Sequence, residues 1–360
     1  MTALLYPLAF LLVLSLVVVV HEYGHFIAAR LCGVDVTEFS MGFGRVLFSR
    51  KDKRGTEWKV CLIPLGGYCK MLGDADAASA KKDEAVEELT EEEKKRAFPL
   101  QPLWKKAIIS VAGPAMNYVF AIVLLTGLFR VYGETVVPPV VSDVAPESAA
   151  AVAGIEKNDR FLTINGKKIN EFSDIQHSVL VDDVLNIVVL RDGREVPLTA
   201  RLKRVNGVAV LGVSAVMTRE HYRSVGLAES FVLAVKDSWQ LTVDTTVVLK
   251  RILLRQRSAD DLRGPLGIAE ASGDAARSGL IGFLYFIIQV SIGIGFMNLL
   301  PVPVLDGGHL LIYAIEFIIR RPIGDKAETV ALYIGLVVLL TLLIVSSWND
   351  IVRIFVRLKN

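Results

Sequence analysis

Four stretches of this 360-residue chain, at about residues 4–29, 107–129, 280–300 and 328–346, each approach the roughly 20 apolar residues that a helix needs to cross a bilayer. No other feature restricts the fold as strongly, because a single segment can cross lipid only as a helix, with its backbone hydrogen bonds made internally. Apolar residues make up 52% of the chain, above the roughly 45–50% of ordinary globular proteins even when glycine is counted there. The fold class that follows is a polytopic α-helical membrane protein with about four transmembrane helices. A fifth stretch, about 226–256, is apolar but interrupted by Lys236, Asp237, Asp244 and Lys250. It reads as an amphipathic helix lying on the membrane or packed on the bundle. The first apolar run has no basic leading region and runs into histidines and a glutamate instead of a cleavage site, so it reads as a retained span and not as a signal peptide.

Residues 30–106 carry many cations, among them Arg45, Arg50, Lys51, Lys53, Arg54 and Lys94. Such an excess marks the cytoplasmic side. Residues 130–280 then lie outside and the loop with Arg320 and Arg321 inside, although Arg353, Arg357 and Lys359 run against the pattern. A net charge of +2 offers nothing to nucleic acid. Cys32, Cys61 and Cys69 form neither a CxxC pair nor a disulfide framework and read as reduced packing residues. Within the cytoplasmic loop, residues 45–63 alternate around the turn-prone Asp52-Lys53-Arg54-Gly55, which predicts a β-hairpin leading to the pair Gly66-Gly67, with a sheet edge near the membrane. The Lys- and Glu-rich run at 80–96 reads as solvated helix or linker.

Chemistry enters at the end of the first span, where Val20 is followed by His21-Glu22-Tyr23-Gly24-His25, an HExxH pattern. On a helix the two histidines face the same way, one turn apart, so both can reach one zinc ion while Glu22 lies close enough to act on a water beside it. Ionisable groups in an apolar helix are costly and usually functional. A catalytic zinc commonly takes three protein ligands. Asp306 stands out as the third, in Asn298-Leu299-Leu300-Pro301-Val302-Pro303-Val304-Leu305-Asp306-Gly307-Gly308. There Pro301 and Pro303 break the span and leave backbone groups free, which membranes tolerate only around a polar cavity. An Asp-Gly turn leaving the membrane is the plainer account of Asp306, and His309 is a weaker candidate, read as a loop residue.

Taken together, HEYGHF at 21–26, NLLPVPVLDGG at 298–308, GGYCKMLGD at 66–74, AGPAMN at 112–117 and GPLGI at 264–268 resemble the site-2 protease family of intramembrane zinc metalloproteases. The closer likeness is to its bacterial branch, the regulator of sigma-E proteases. The resemblance spans nearly the whole chain. It implies one zinc ion per chain held by His21, His25 and Asp306, with Glu22 as the catalytic acid/base. Asn298, with the pair Gly66 and Gly67, is the expected substrate-binding set. It also implies substrates that are single-span membrane proteins, such as anti-sigma factors or remnant signal peptides, and a multi-pass place in the bacterial inner membrane with the active site toward the cytoplasm.

The region from about Val136 to Leu202 resembles an extracytoplasmic PDZ domain, through Ser148–Gly154, Asn158–Gly166 and the second turn at Asp192-Gly193. Such a module either recruits a trimmed substrate or excludes an untrimmed one. Four parts result: 1–130 with the first two spans, HExxH and a membrane-associated β region; the PDZ domain at 136–205; a linker with the amphipathic helix at 206–279; and the last two spans with LDGG at 280–360. A membrane scaffold built on the PDZ domain has no need for a glutamate and two histidines inside an apolar helix. A transporter predicts internal repeats, which the chain lacks.

Overall fold

Every one of the four apolar runs forms a helix in the computed structural model, which describes residues 2–74, 88–205, 208–215, 222–254 and 264–359. Helix α1 (Thr2–Leu31) leads into strands β1 (Val36–Lys51) and β2 (Glu57–Met71), then the single turn α2 (Glu91–Lys94) and the long α3 (Leu103–Tyr132). The strands β3 (Glu134–Thr135) and β4 (Asp143–Val144) follow, then α4 (Ala149–Ala153), β5 (Arg160–Ile164), β6 (Lys167–Lys168), α5 (Phe172–Val181), β7 (Val184–Arg191) and β8 (Arg194–Arg201). After several short strands come α6 (Leu227–Leu253), α7 (Pro265–Arg277), α8 (Leu280–Asn298), α9 (Asp306–Ile319) and α10 (Asp325–Lys359). Four segments are long and apolar enough to cross a membrane: Leu4–Leu31, Leu103–Tyr132, Leu280–Asn298 and Thr329–Arg353. The protein is a multi-pass membrane protein. Residues 80–87 of the Lys- and Glu-rich run lie outside the described residues; the remainder forms α2, capped reciprocally by Thr90 and Glu93.

Contacts divide the chain into two compact units, residues 1–124 with 264–351 and residues 125–263 with 352–360. In the first, Val13 and Val17 of α1 and Ile287 of α8 make one apolar seam, with Phe120 and Leu124 of α3 packed on it. A second core joins Phe26 and Ala29 of α1 to Phe39, Cys69 and Met71 of the hairpin and to Ile109 of α3. The pairing of β1 with β2 reaches from Val36 to Met71, well beyond the expected 45–63. It is irregular: residues 38–41 have partners both at 67–70 and at 57–60. Gly42 and Gly44, at φ +92° and +85°, supply left-handed backbone where the strand breaks register. Beyond them Val46, Leu47, Phe48, Leu62 and Ile63 are all exposed. The turn between β1 and β2 is tied down by Asp52, which accepts from Arg30 and from Trp58 Nε1 (3.2 Å). Burial works to raise the Asp52 pKa, but these hydrogen bonds outweigh it and bring it down to about 2.

The second unit carries an antiparallel sheet in the order β6-β5-β7-β8. Alternate residues Leu185, Ile187 and Val189 of β7 point into a core with Phe161, Ile164 and Ile175. Asn165-Gly166 (φ +50° and +78°) and Asp192-Gly193 (φ +48° and +77°) make the tight turns that their sequences suggest. Asp159, fully buried, accepts from Arg191 Nε at 2.8 Å and Nη2 at 2.6 Å and from the Glu156 N–H at 2.8 Å. Burial pushes its pKa up, and the paired guanidinium with the backbone N–H more than offsets this, so the net shift is downward. In α6 the buried positions Ser230, Ala234 and Ser238 recur every four residues, whereas Leu227, Phe231, Val232 and Trp239 are exposed. That helix is not among the four membrane-length segments.

Candidate metal centre

The last turns of α1 meet α3 at a distance only glycine permits. A Cβ on Gly24 would collide with the Ala112 carbonyl, and one on Gly113 would collide with the His25 imidazole. With neither present, His21 and His25 lie buried between the helices. His25 Nδ1 sits 2.8 Å from the Ile109 carbonyl, an acceptor only, so Nδ1 carries a proton and Nε2 is the nitrogen left to face the cluster. The two Nε2 atoms are 3.3 Å apart.

Asp306 completes the cluster from the first turn of α9, reached through the loop after Asn298. Gly307 and Gly308 let this loop fold back on the helix, since a side chain on either would strike the carbonyls of residues 299, 300 and 302. Pro303 rests on Gly335 of α10 in the same way. Val304 takes φ +89°, a left-handed conformation that strains a β-branched residue. Asp306 Oδ2 lies 3.1 Å from His21 Nε2 and Oδ1 3.4 Å from His25 Nε2, and Oδ2 is buried without a hydrogen bond. One ligand atom from each of the three residues falls within 4.8 Å of the other two. Two imidazole nitrogens and a carboxylate oxygen this close together need positive charge among them, which a bound cation would supply. The donor set of two imidazoles and a carboxylate is the set that catalytic zinc sites use.

Around this cluster a cavity of about 340 Å³ is bounded by Glu22, Gly67, Cys69, Asn298, Val304 and His309, among others. Glu22 is half-buried and shares the cavity wall with Cys69. Gly67 brings β2 close: its Cβ would stand 2.6 Å from the Ser40 carbonyl and 3.7 Å from Glu22 Cγ. Gly66 is turned instead toward the Phe43 ring. One N–H of the Asn298 side chain is bonded back to the Ile294 carbonyl at 3.1 Å. The structure therefore brings His21, Glu22, His25, Asp306, Asn298 and Gly67 to one cavity and leaves Gly66 beside it. His309 is not a loop residue: Gly307-Gly308 open a helix here, which carries His309 buried on its first turn and into the cavity wall.

The motif AGPAMN at 112–117, which the sequence marks without a role, lies on α3, where Ile109, Gly113 and Asn117 recur every four residues and make the wall behind both histidines. The Asn117 amide stands 3.3 Å from His21 Nδ1. An asparagine and a glycine on one face of an apolar helix are the signal that could have found it.

Residues 9–342 match the model of peptidase family M50. A protein of Mesorhizobium japonicum named as a zinc metalloprotease is 40% identical over 359 residues, covering 95% of this chain and 97% of its own length. The metalloprotease MmpA of Caulobacter vibrioides is 36% identical over 95% of this chain and 94% of its own. The regulator of sigma E protease of Haemophilus influenzae is 29% identical over 96% and 98%.

Proposed function

Because this chain belongs to peptidase family M50, whose zinc metalloproteases it resembles along its length, we propose that its zinc is held by His21, His25 and Asp306 and that Glu22 is its catalytic acid/base. The protein is an intramembrane zinc metalloprotease. The observation that carries the site assignment is the buried cluster of three ligand-type side chains, facing one another with Glu22 beside them in a chain of membrane-length apolar helices.

Zinc, when bound, supplies the Lewis acidity that acidifies water and polarises a peptide carbonyl. Glu22 takes the proton of the attacking water and returns it to the leaving amine. A transmembrane substrate hides its carbonyls in helical hydrogen bonds and must be drawn out as an extended strand before attack. Gly67, Tyr68, Cys69 and Met71 of β2 line the cavity together with Asn298, and this part of the strand offers backbone groups for strand addition. Proline at Tyr68 is expected to lower cleavage several-fold with zinc content unchanged; cleavage at the wild-type rate would remove β2 from substrate binding.

In this reading the exposed apolar part of the hairpin dips into lipid, the active site opens toward the cytoplasm, and the protein resides in a bacterial inner membrane. Residues 136–205 form an extracytoplasmic PDZ domain that excludes untrimmed substrates, 206–279 form a linker with the amphipathic helix, and the segments 1–130 and 280–360 make the catalytic bundle. The substrates are single-span proteins such as anti-sigma factors or remnant signal peptides. The test is to purify the wild type and Glu22→Gln in detergent, measure bound zinc, and incubate each with a tagged single-span protein truncated on its outer side. Zinc in both with a loss of about 10²–10⁴-fold in cleavage for the variant supports the assignment. Zinc in both with equal cleavage overturns the role of Glu22, and the absence of zinc from both overturns the ligand set.

A further inference from the structure

We infer that Asn117 is a positioning residue that selects the tautomer of His21 and thereby sets the affinity of the centre for zinc. This rests on the reading of His21 as a ligand and goes one residue beyond it.

Asn117 is completely buried on α3. Its Nδ2 lies 3.3 Å from His21 Nδ1, while its Oδ1 is buried with no hydrogen-bond partner. The residue itself is firmly placed. Its backbone carbonyl accepts from Ser291 Oγ at 2.9 Å, and Gly295 of α8 leaves room for its Cβ, with 3.1 Å between that atom and a Cβ built on the glycine.

A histidine that ligates through Nε2 holds its remaining proton on Nδ1. With the amide as it stands, that proton would point at another N–H group and the orphaned Oδ1 would stay unpaired. A half-turn of the amide exchanges the two atoms: Nδ1–H then donates to Oδ1, and both faults disappear. The unturned amide suits the other tautomer. Nδ2–H donates to a bare Nδ1, and the proton sits on Nε2, 3.1 Å from Asp306 Oδ2, where it closes the site to a cation. Asn117 thus has two settings and zinc needs one of them. His25 has no such choice, because the Ile109 carbonyl can only accept.

The full chain, purified in detergent, tests this with Asn117→Leu, Asn117→Ala, Asn117→Asp and His21→Ala. Three readouts serve: zinc affinity by competition with a chelator, the visible absorption of the cobalt(II)-substituted protein, and thermal unfolding of the metal-free form. Asn117→Asp keeps an acceptor for Nδ1–H and is expected to hold zinc within a few-fold of wild type. The Leu and Ala variants are expected to bind about 10- to 100-fold more weakly, with an altered cobalt spectrum and unchanged metal-free unfolding. Equal affinity in all Asn117 variants overturns the inference. So does equal weakening of Leu, Ala and Asp, which would mark a packing role. Wild-type affinity in His21→Ala overturns the ligand reading itself and the inference with it.

Discussion

The two units each bury carboxylates against basic side chains, and they do so in opposite ways. Asp159 has a donor for each oxygen: a bidentate guanidinium and a backbone N–H satisfy it, so nothing further can bind. Asp306 sits among imidazole nitrogens, with one buried oxygen lacking any hydrogen bond. The first arrangement is closed and holds a fold together. The second leaves donor atoms facing one another that could hold a cation. Burial of a charge does not separate structure from function; whether its hydrogen-bonding capacity is already spent does.

Substitution in each unit sharpens this contrast. Asp306→Ala removes a proposed ligand, and zinc affinity is expected to fall by more than the roughly 10- to 100-fold that loss of a supporting partner costs, with unfolding of the metal-free chain scarcely changed. Dialysis against graded chelator followed by metal analysis measures it; a variant that keeps wild-type affinity would break the comparison. Arg191→Met removes the closed partner and strands a buried carboxylate, at a cost on the order of 3 kcal/mol. Hydrogen exchange across residues 136–205 in the full chain reads this as faster local opening, with bound zinc unchanged. A smaller effect is the response to acid. The Asp159 pKa is lower in the folded unit than its unfolded value near 3.9, so its stabilisation is complete above about pH 5 and is lost as pH falls through the carboxylate range. In Arg191→Met this part of the acid limb is expected to flatten, and an unchanged limb would mean that the pair is not its source.

The sequence displays the spans, the HExxH pattern and the broken helix before Asp306 because each rests on local chemistry: apolar length, helical spacing and proline. The tight turns at Asn165-Gly166 and Asp192-Gly193 are legible for the same reason. The extent of the β1 and β2 pairing is not, since Val36 to Phe39 lie before the alternating stretch at 45–63 and acquire partners only when Cys69 and Met71 fold back onto Phe26 and Ile109. His309 was obscured by two glycines that resemble a turn and in fact clear space for a folded-back loop. Asn117 lies 96 positions from His21, and nothing in its neighbourhood along the chain announces the pairing.

Gly24, Gly113 and Gly295 give the centre a property that its ligands do not. At the first two an added methyl would run into the Ala112 backbone or the His25 ring, and at the third it would press on the Asn117 Cβ. The socket is shaped by subtraction, and its tolerance is a fraction of an ångström. A metal site is usually catalogued by the atoms that touch the ion, yet the one proposed here also depends on positions where atoms are withheld, and a survey confined to donors would count them as filler.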